Sequence, residues 1–187
     1  MNAPNFNFDL FIKNSNFSDY TSFNIIKDAL KTPDEVGSTL RMHLFFERIL
    51  ESWIYANCNR EDFFENTQVG FWTKLQIASN LGLPQEVFDI AKKLNRIRNK
   101  IAHHLINESS NGIDNSLLDS LKDIFKNKII KNHPQWQGND IGMFFYDDDG
   151  NPEISVNIND KNLKQHVLLT VICTLTLTYL VIKSKEN

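Results

Sequence analysis

Apolar residues recur at helical spacing through most of the chain. From Thr39 to about Asn57 they fall at Leu40, Leu44, Phe46, Ile49, Leu50, Trp53 and Ile54, with Arg41, Glu47, Arg48 and Glu51 between them. This spacing predicts an amphipathic helix, capped by Asp34 or Ser38. Residues 58–70 read as a connection. A shorter helix follows from Phe71 to Leu81, with Trp72, Leu75, Ala78 and Leu81 at helical spacing. Gly82 is a suitable C-terminal stop, because glycine takes the left-handed conformation cheaply. Pro84 suits a first helical position and Glu86 a first turn. The long helix that opens there is predicted to run to about Leu105, with Val87, Ile90, Leu94, Ile97, Ile101 and Leu105 as its apolar stripe. It carries the strongest helical signal in the chain.

The stretch 107–115 is polar and reads as a loop. Residues 116–131 predict another amphipathic helix, with Leu117, Leu118, Leu121, Ile124, Phe125 and Ile129, ending near His133-Pro134. His133 to Trp136 reads as a loop with a packed tryptophan. Residues 141–158 change character: two apolar-rich runs flank Asp-Gly-Asn, a hairpin signal. Asp147 to Asn151 resembles part of a calcium loop, but such a loop needs a Glu at its twelfth position, and Ile158 stands there. A turn accounts for these residues better. Asp160 or Asn162 is expected to cap the last helix. The first 25 residues interleave Asn, Phe and Ser with no period. The predicted fold is mainly all-α: residues 1–38 form an N-terminal extension, and 39–187 a single four- to five-helix up-and-down bundle with a β-hairpin inserted near 141–158.

Val167 to Ile182 carries no charge over sixteen residues. A bilayer span needs about 20, and four threonines interrupt the run, so it is expected to be a core helix rather than a membrane anchor. A helix apolar on nearly all sides must be surrounded by others. The N-terminus has no basic region and no apolar core of signal-peptide length. Cys58 and Cys173 have no neighbours at metal-ligand spacing, so no metal or cofactor is expected, and reduced thiols in a cytoplasmic protein are the expectation. Net charge is -3 and the pI about 5.9. That balance argues against a domain that coats nucleic acid by bulk charge, and no helix-turn-helix with a basic recognition helix stands out. The lysines at 122, 126, 128 and 131 read as a solvated face.

The stretch Arg98-Asn99-Lys100-Ile101-Ala102-His103-His104 ends the long helix. Arg is a permanent cation with a fork that suits phosphate. His exchanges a proton near neutral pH, and Asn can orient either partner. With 3.6 residues per turn, Asn99 and His103 share the face opposite the apolar stripe, together with Asn95 and Arg96. Arg98 lies on the flank of the stripe. His104 returns beside it and is the structural histidine of the pair. These residue types suit metal-independent RNA cleavage, in which a base takes the 2′-hydroxyl proton and a cation stabilises the phosphorane-like transition state. The helix dipole alone also favours Arg and His at a helix C-terminus. His43 and His166 stand alone on helices and read as surface or core histidines.

Lys74-Leu75, Leu81-Gly82-Leu83-Pro84 and Leu94-Asn95-Arg96-Ile97-Arg98-Asn99-Lys100-Ile101-Ala102-His103 resemble the HEPN superfamily, most of all its mannitol-operon-repressor-like branch. There an Arg, a polar residue and, a turn later, a His end a core helix, as Arg98-Asn99-x-x-x-His103 does. The resemblance covers about residues 39–105. It implies a helical bundle, usually a homodimer. It implies a metal-independent endoribonuclease of toxin–antitoxin or phage-defence kind, with matching residues facing each other across the dimer interface. Arg98 would then contact phosphate, Asn99 orient it, and His103 act as base or acid; Glu47 would pair with Arg98, with Asn95 and His104 in support. Other members are non-catalytic regulators or interaction modules, which implies a protein partner such as an antitoxin, toxin or regulator in place of RNA. The acidic pI favours that alternative; the outward Asn99 and His103 favour the nuclease.

Overall fold

A 24-residue helix, Glu35–Cys58, organises the molecule, and most other elements pack against it. The structure, a computed structural model, describes residues 6–15, 20–107, 113–133, 136, 141–147 and 149–185, and side chains except those of 20–22 and 104–107. In chain order the elements are α1 (Phe8–Ser15), α2 (Tyr20–Lys31), α3 (Glu35–Cys58), α4 (Phe71–Asn80), α5 (Gln85–Asn107), α6 (Asn115–Ile124) with a π-helical continuation Phe125–Ile130, β1 (Gly142–Tyr146), β2 (Pro152–Asn157) and α7 (Gln165–Lys185). The chain is thus mainly helical with one two-stranded antiparallel insertion, as the patterning predicts.

The helix ends follow local chemistry. Asp34 caps α3 by accepting from the Val36 amide at 3.0 Å, and Asn59 ends it in the left-handed region. Gly82 has φ +82, and Leu83 N donates to the Ala78 carbonyl behind it, so the α4 stop is the predicted one. The Pro84 carbonyl accepts from Val87 and Phe88. Pro84 therefore stands just before α5 rather than inside its first turn. Asp114 caps α6 through the amides of Ser116 and Leu117. Neither Asp160 nor Asn162 caps α7. The Asp160 carboxylate closes its own short turn onto the Asn162 amide, three residues before the helix starts.

Two helices that no period announced complete the core. Asn7 caps α1 at Leu10 and hangs its own amide on the Ala56 carbonyl at the end of α3. Phe11 is fully buried, edge-on to Trp53 with ring centroids 5.9 Å apart, and Phe6 lies 4.7 Å from the same indole. From α2, Ile26, Ala29 and Leu30 join the same cluster. Helices α1 and α2 are therefore part of the bundle's core and not merely appended to it.

α7 is the one described helix long and apolar enough to cross a membrane. It packs against α2, α3, α5 and α6. Its threonines are tolerated because each hydroxyl donates back one turn. Thr170 bonds the His166 carbonyl, Thr174 that of Thr170, Thr176 that of Ile172 and Thr178 that of Thr174, so no buried hydroxyl is orphaned. Trp136 packs by Phe125 and Tyr179. In the hairpin, Asp147 accepts from the Asp149 and Asn151 amides, and Gly150 takes φ +81. The carboxylate is thus occupied by the turn it closes. Glu153 ties the hairpin to Lys27 and Lys31 of α2.

Three apolar residues are not where their spacing predicts. Leu40 and Leu44 of α3 and Trp72 of α4 are exposed, Leu44 by 64%. The α3 core is instead built from Met42, Phe45, Phe46, Ile49, Leu50, Trp53 and Ile54. The neighbours of α3 leave one stripe of it open to solvent.

Candidate functional site

The predicted face of α5 meets α3 and α4 through polar groups. Burying Val87, Ile90, Leu94, Ile97 and Ile101 fixes the rotation of α5. The same rotation places Asn95 against His43 of α3, with Asn95 Oδ1 3.1 Å from His43 Nε2. Asn95 therefore turns toward α3 and does not share the open face with Asn99 and His103. His43 lies over Phe71, the first residue of α4, with ring centroids 4.2 Å apart. Burial holds the His43 pKa below its ordinary value. The hydrogen bond to Asn95 opposes this, the Arg98 charge adds to it, and Glu47 opposes it weakly. The ring is thus neutral near pH 7 and can accept a proton.

Arg98 is half-buried. Its Nη1 donates to Asn99 Oδ1 at 3.1 Å, and its buried Nε has no partner. Among the described residues it makes no ion pair. The expected Glu47–Arg98 pair does not form. Glu47 is taken by Lys74 of α4, whose ammonium also holds Glu51, each at 2.6 Å. Burial lowers the Lys74 pKa, but the two carboxylates outweigh it and the net shift is upward. The clamp works because Glu47 and Glu51 are one turn apart on the α3 face that α4 covers.

Asn99 and His103 are both exposed, one turn apart in the last part of α5. His103 has no hydrogen bond or ion pair among the described residues. The side chain of His104 lies outside the described residues. Lys100, between them, pairs with Asp114, the α6 cap; this ammonium and the Ser116 and Leu117 groups hold that carboxyl far below its usual range. The structure therefore brings together Asn95, Arg98 and Asn99, adds His43, and leaves His103 open one turn beyond. The sequence reads His43 only as a lone surface or core histidine; it is a core one, 6% exposed, and it adjoins the site. The signal lay in His43, Glu47 and Glu51 at steps of four, which puts an imidazole and two carboxylates on one side of α3.

Acid should loosen this region. His166 of α7 is 1% exposed, and burial also lowers its pKa against the opposing pull of Glu35 at 4.0 Å. Unfolded histidine binds its proton at about pH 6.5, whereas folded His43 and His166 bind theirs only at lower pH. Below about pH 6.5 the unfolded chain therefore holds more protons, and stability falls as pH falls. Thermal melts from pH 8 to 5 are expected to show a declining Tm below that point, and His43→Gln with His166→Gln should flatten the decline. A flat wild-type profile would contradict the burial argument.

No protein-family model matches this chain, and neither a curated protein nor a solved structure matches it.

Proposed function

We propose that the protein is a HEPN-type, metal-independent endoribonuclease of toxin–antitoxin or phage-defence kind, acting in the cytoplasm as a homodimer. The observation that carries this reading is Arg98: a half-buried guanidinium with no carboxylate partner among the described residues, steadied by Asn99, which is one turn from an open histidine. A neutralised arginine binds structure, whereas one kept free of carboxylates beside polar groups suits an anionic ligand. Arg98 holds the scissile phosphate and stabilises the charge that builds on it. His103 takes the 2′-hydroxyl proton, and the 2′-oxygen attacks phosphorus to expel the 5′-oxygen, which takes a proton from water, leaving a 2′,3′-cyclic phosphate and a 5′-hydroxyl. Asn99 fixes the guanidinium plane. Asn95 and His43, bonded to each other, lie within reach of the Arg98 charge.

The test is cleavage of total RNA in EDTA by wild type and Arg98→Ala. Losing a preorganised charge at the transition state costs about 10²–10³-fold in rate, so the variant should be slower by that factor. Equal rates, or intact RNA with both, would overturn the assignment. A second reading rests on the acidic balance and the exposed Leu40 and Leu44: a non-catalytic regulator or interaction module of the same fold. It predicts intact RNA at every protein concentration.

A further inference from the structure

The open stripe of α3 borders a groove of about 260 Å³ against α2, lined by Ile25, Asp28, Arg41, Leu44, Phe45 and Arg48. Arg41, Leu44, Phe45 and Arg48 stand at i, i+3, i+4 and i+7, so α3 presents them on one side. Leu44 is 64% exposed, and Leu40, one turn earlier, extends the apolar surface. Arg41 and Arg48 are exposed, and their guanidinium groups have no hydrogen bond or ion pair with any described residue. On the neighbouring α2, by contrast, Lys27 and Lys31 are both paired, with Glu153 of the hairpin.

We propose that the α2–α3 groove docks an acidic amphipathic helix of a partner protein. The surface between two packed helices accepts a third by ridges into grooves, and apolar side chains at i, i+3 or i+4, and i+7 of the incoming helix fill the space beside Leu44, Phe45 and Ile25. Arg41 and Arg48 lie two turns apart, about 10 Å along α3. Carboxylates seven residues apart on the partner match that spacing. An RNA strand would satisfy the arginines but leave Leu40 and Leu44 uncovered. Asp28 is the one carboxylate on the wall and opposes an acidic partner. The site is separate from Arg98 and His103, and its fate does not hang on RNA cleavage.

The experiment uses the full chain and a fluorescein-labelled helical peptide with leucines at i, i+3 and i+7 and glutamates spaced to meet both arginines. A second peptide carries lysines in place of the glutamates. Fluorescence anisotropy is expected to show the acidic peptide bound at least about tenfold more tightly. Arg41→Glu with Arg48→Glu should reverse that preference, Leu44→Asn should weaken the acidic peptide, and Asp28→Asn should tighten it. All four positions are exposed, and unchanged circular-dichroism melts confirm that the variants fold. Equal binding of the two peptides, no binding, or insensitivity to the arginine pair would overturn the proposal. So would a self-associated chain that Leu44→Asn makes monomeric, which assigns the groove to a second copy, or displacement of the acidic peptide by a single-stranded oligoribonucleotide, which assigns it to nucleic acid.

Discussion

His103→Ala is expected to lower RNA cleavage by about 10²–10⁴-fold, the range that a positioned acid or base supplies. The imidazole is exposed on the last turns of α5 and has no partner among the described residues. It holds nothing together, so its loss should leave the melting temperature within about 1 °C of wild type, as surface substitutions usually do. That combination separates a catalytic role from a structural one. His43→Ala should behave in the opposite way. It strips the ring from Phe71 and leaves Asn95 Oδ1 without its partner, so it should cost stability first and activity only through Arg98. A His103→Ala protein that cleaves RNA at the wild-type rate would remove this residue from the mechanism.

The second large effect belongs to Lys74. Among the described residues its ammonium is the one cation paired with Glu47 and Glu51, and the residue is only 8% exposed. Lys74→Met keeps the length of the stem but removes the charge, and with it the cation–π contact of Nζ with the Phe64 ring. Two carboxylates one turn apart on α3 then face each other under α4 with no counter-ion. Breaking a buried charge cluster by deleting one partner costs about 3–5 kcal/mol; both glutamates retain some contact with water, so about 3 kcal/mol is expected. Urea unfolding of Lys74→Met against wild type measures it. Adding Glu47→Gln and Glu51→Gln to the same chain should recover most of the loss, because neutral amides no longer repel. A Lys74→Met protein as stable as wild type would mean that the clamp contributes nothing.

Long periodic segments were the legible part of this fold. α3, α4, α5 and α6 each bury a face that recurs at helical spacing, α7 is apolar and buried on nearly all sides, and Asp34 and Gly82 mark ends that backbone chemistry determines. α1 spans eight residues, too few for a period to emerge, and it is held by tertiary contacts of Asn7, Phe11 and Phe6 that no local pattern encodes. Leu40 and Leu44 fit the helical spacing but lie outside the buried arc, because periodicity says that a helix has a face and not how far its neighbours reach around it. The motif on α5 was readable for the same reason that α5 was: its stripe fixes which residues point out. What the motif touches was not. Glu47 is polar and lies on α3, as a partner for Arg98 should, yet Lys74 reaches it first from α4. Asn95 is angularly close to Asn99 on the helix, yet it is the residue that bonds His43. Both outcomes depend on how three helices pack, which spacing along one helix does not contain.

The most direct measurement compares an RNA oligonucleotide with its all-2′-deoxy counterpart in EDTA, using the wild-type protein and reading the product ends by mass spectrometry. Cleavage of the RNA alone, leaving 2′,3′-cyclic phosphate, is the expected result, because the attacking oxygen is the substrate's own 2′-hydroxyl. RNA left intact at concentrations where the chain is dimeric, or cleavage of the deoxy strand as well, would contradict it.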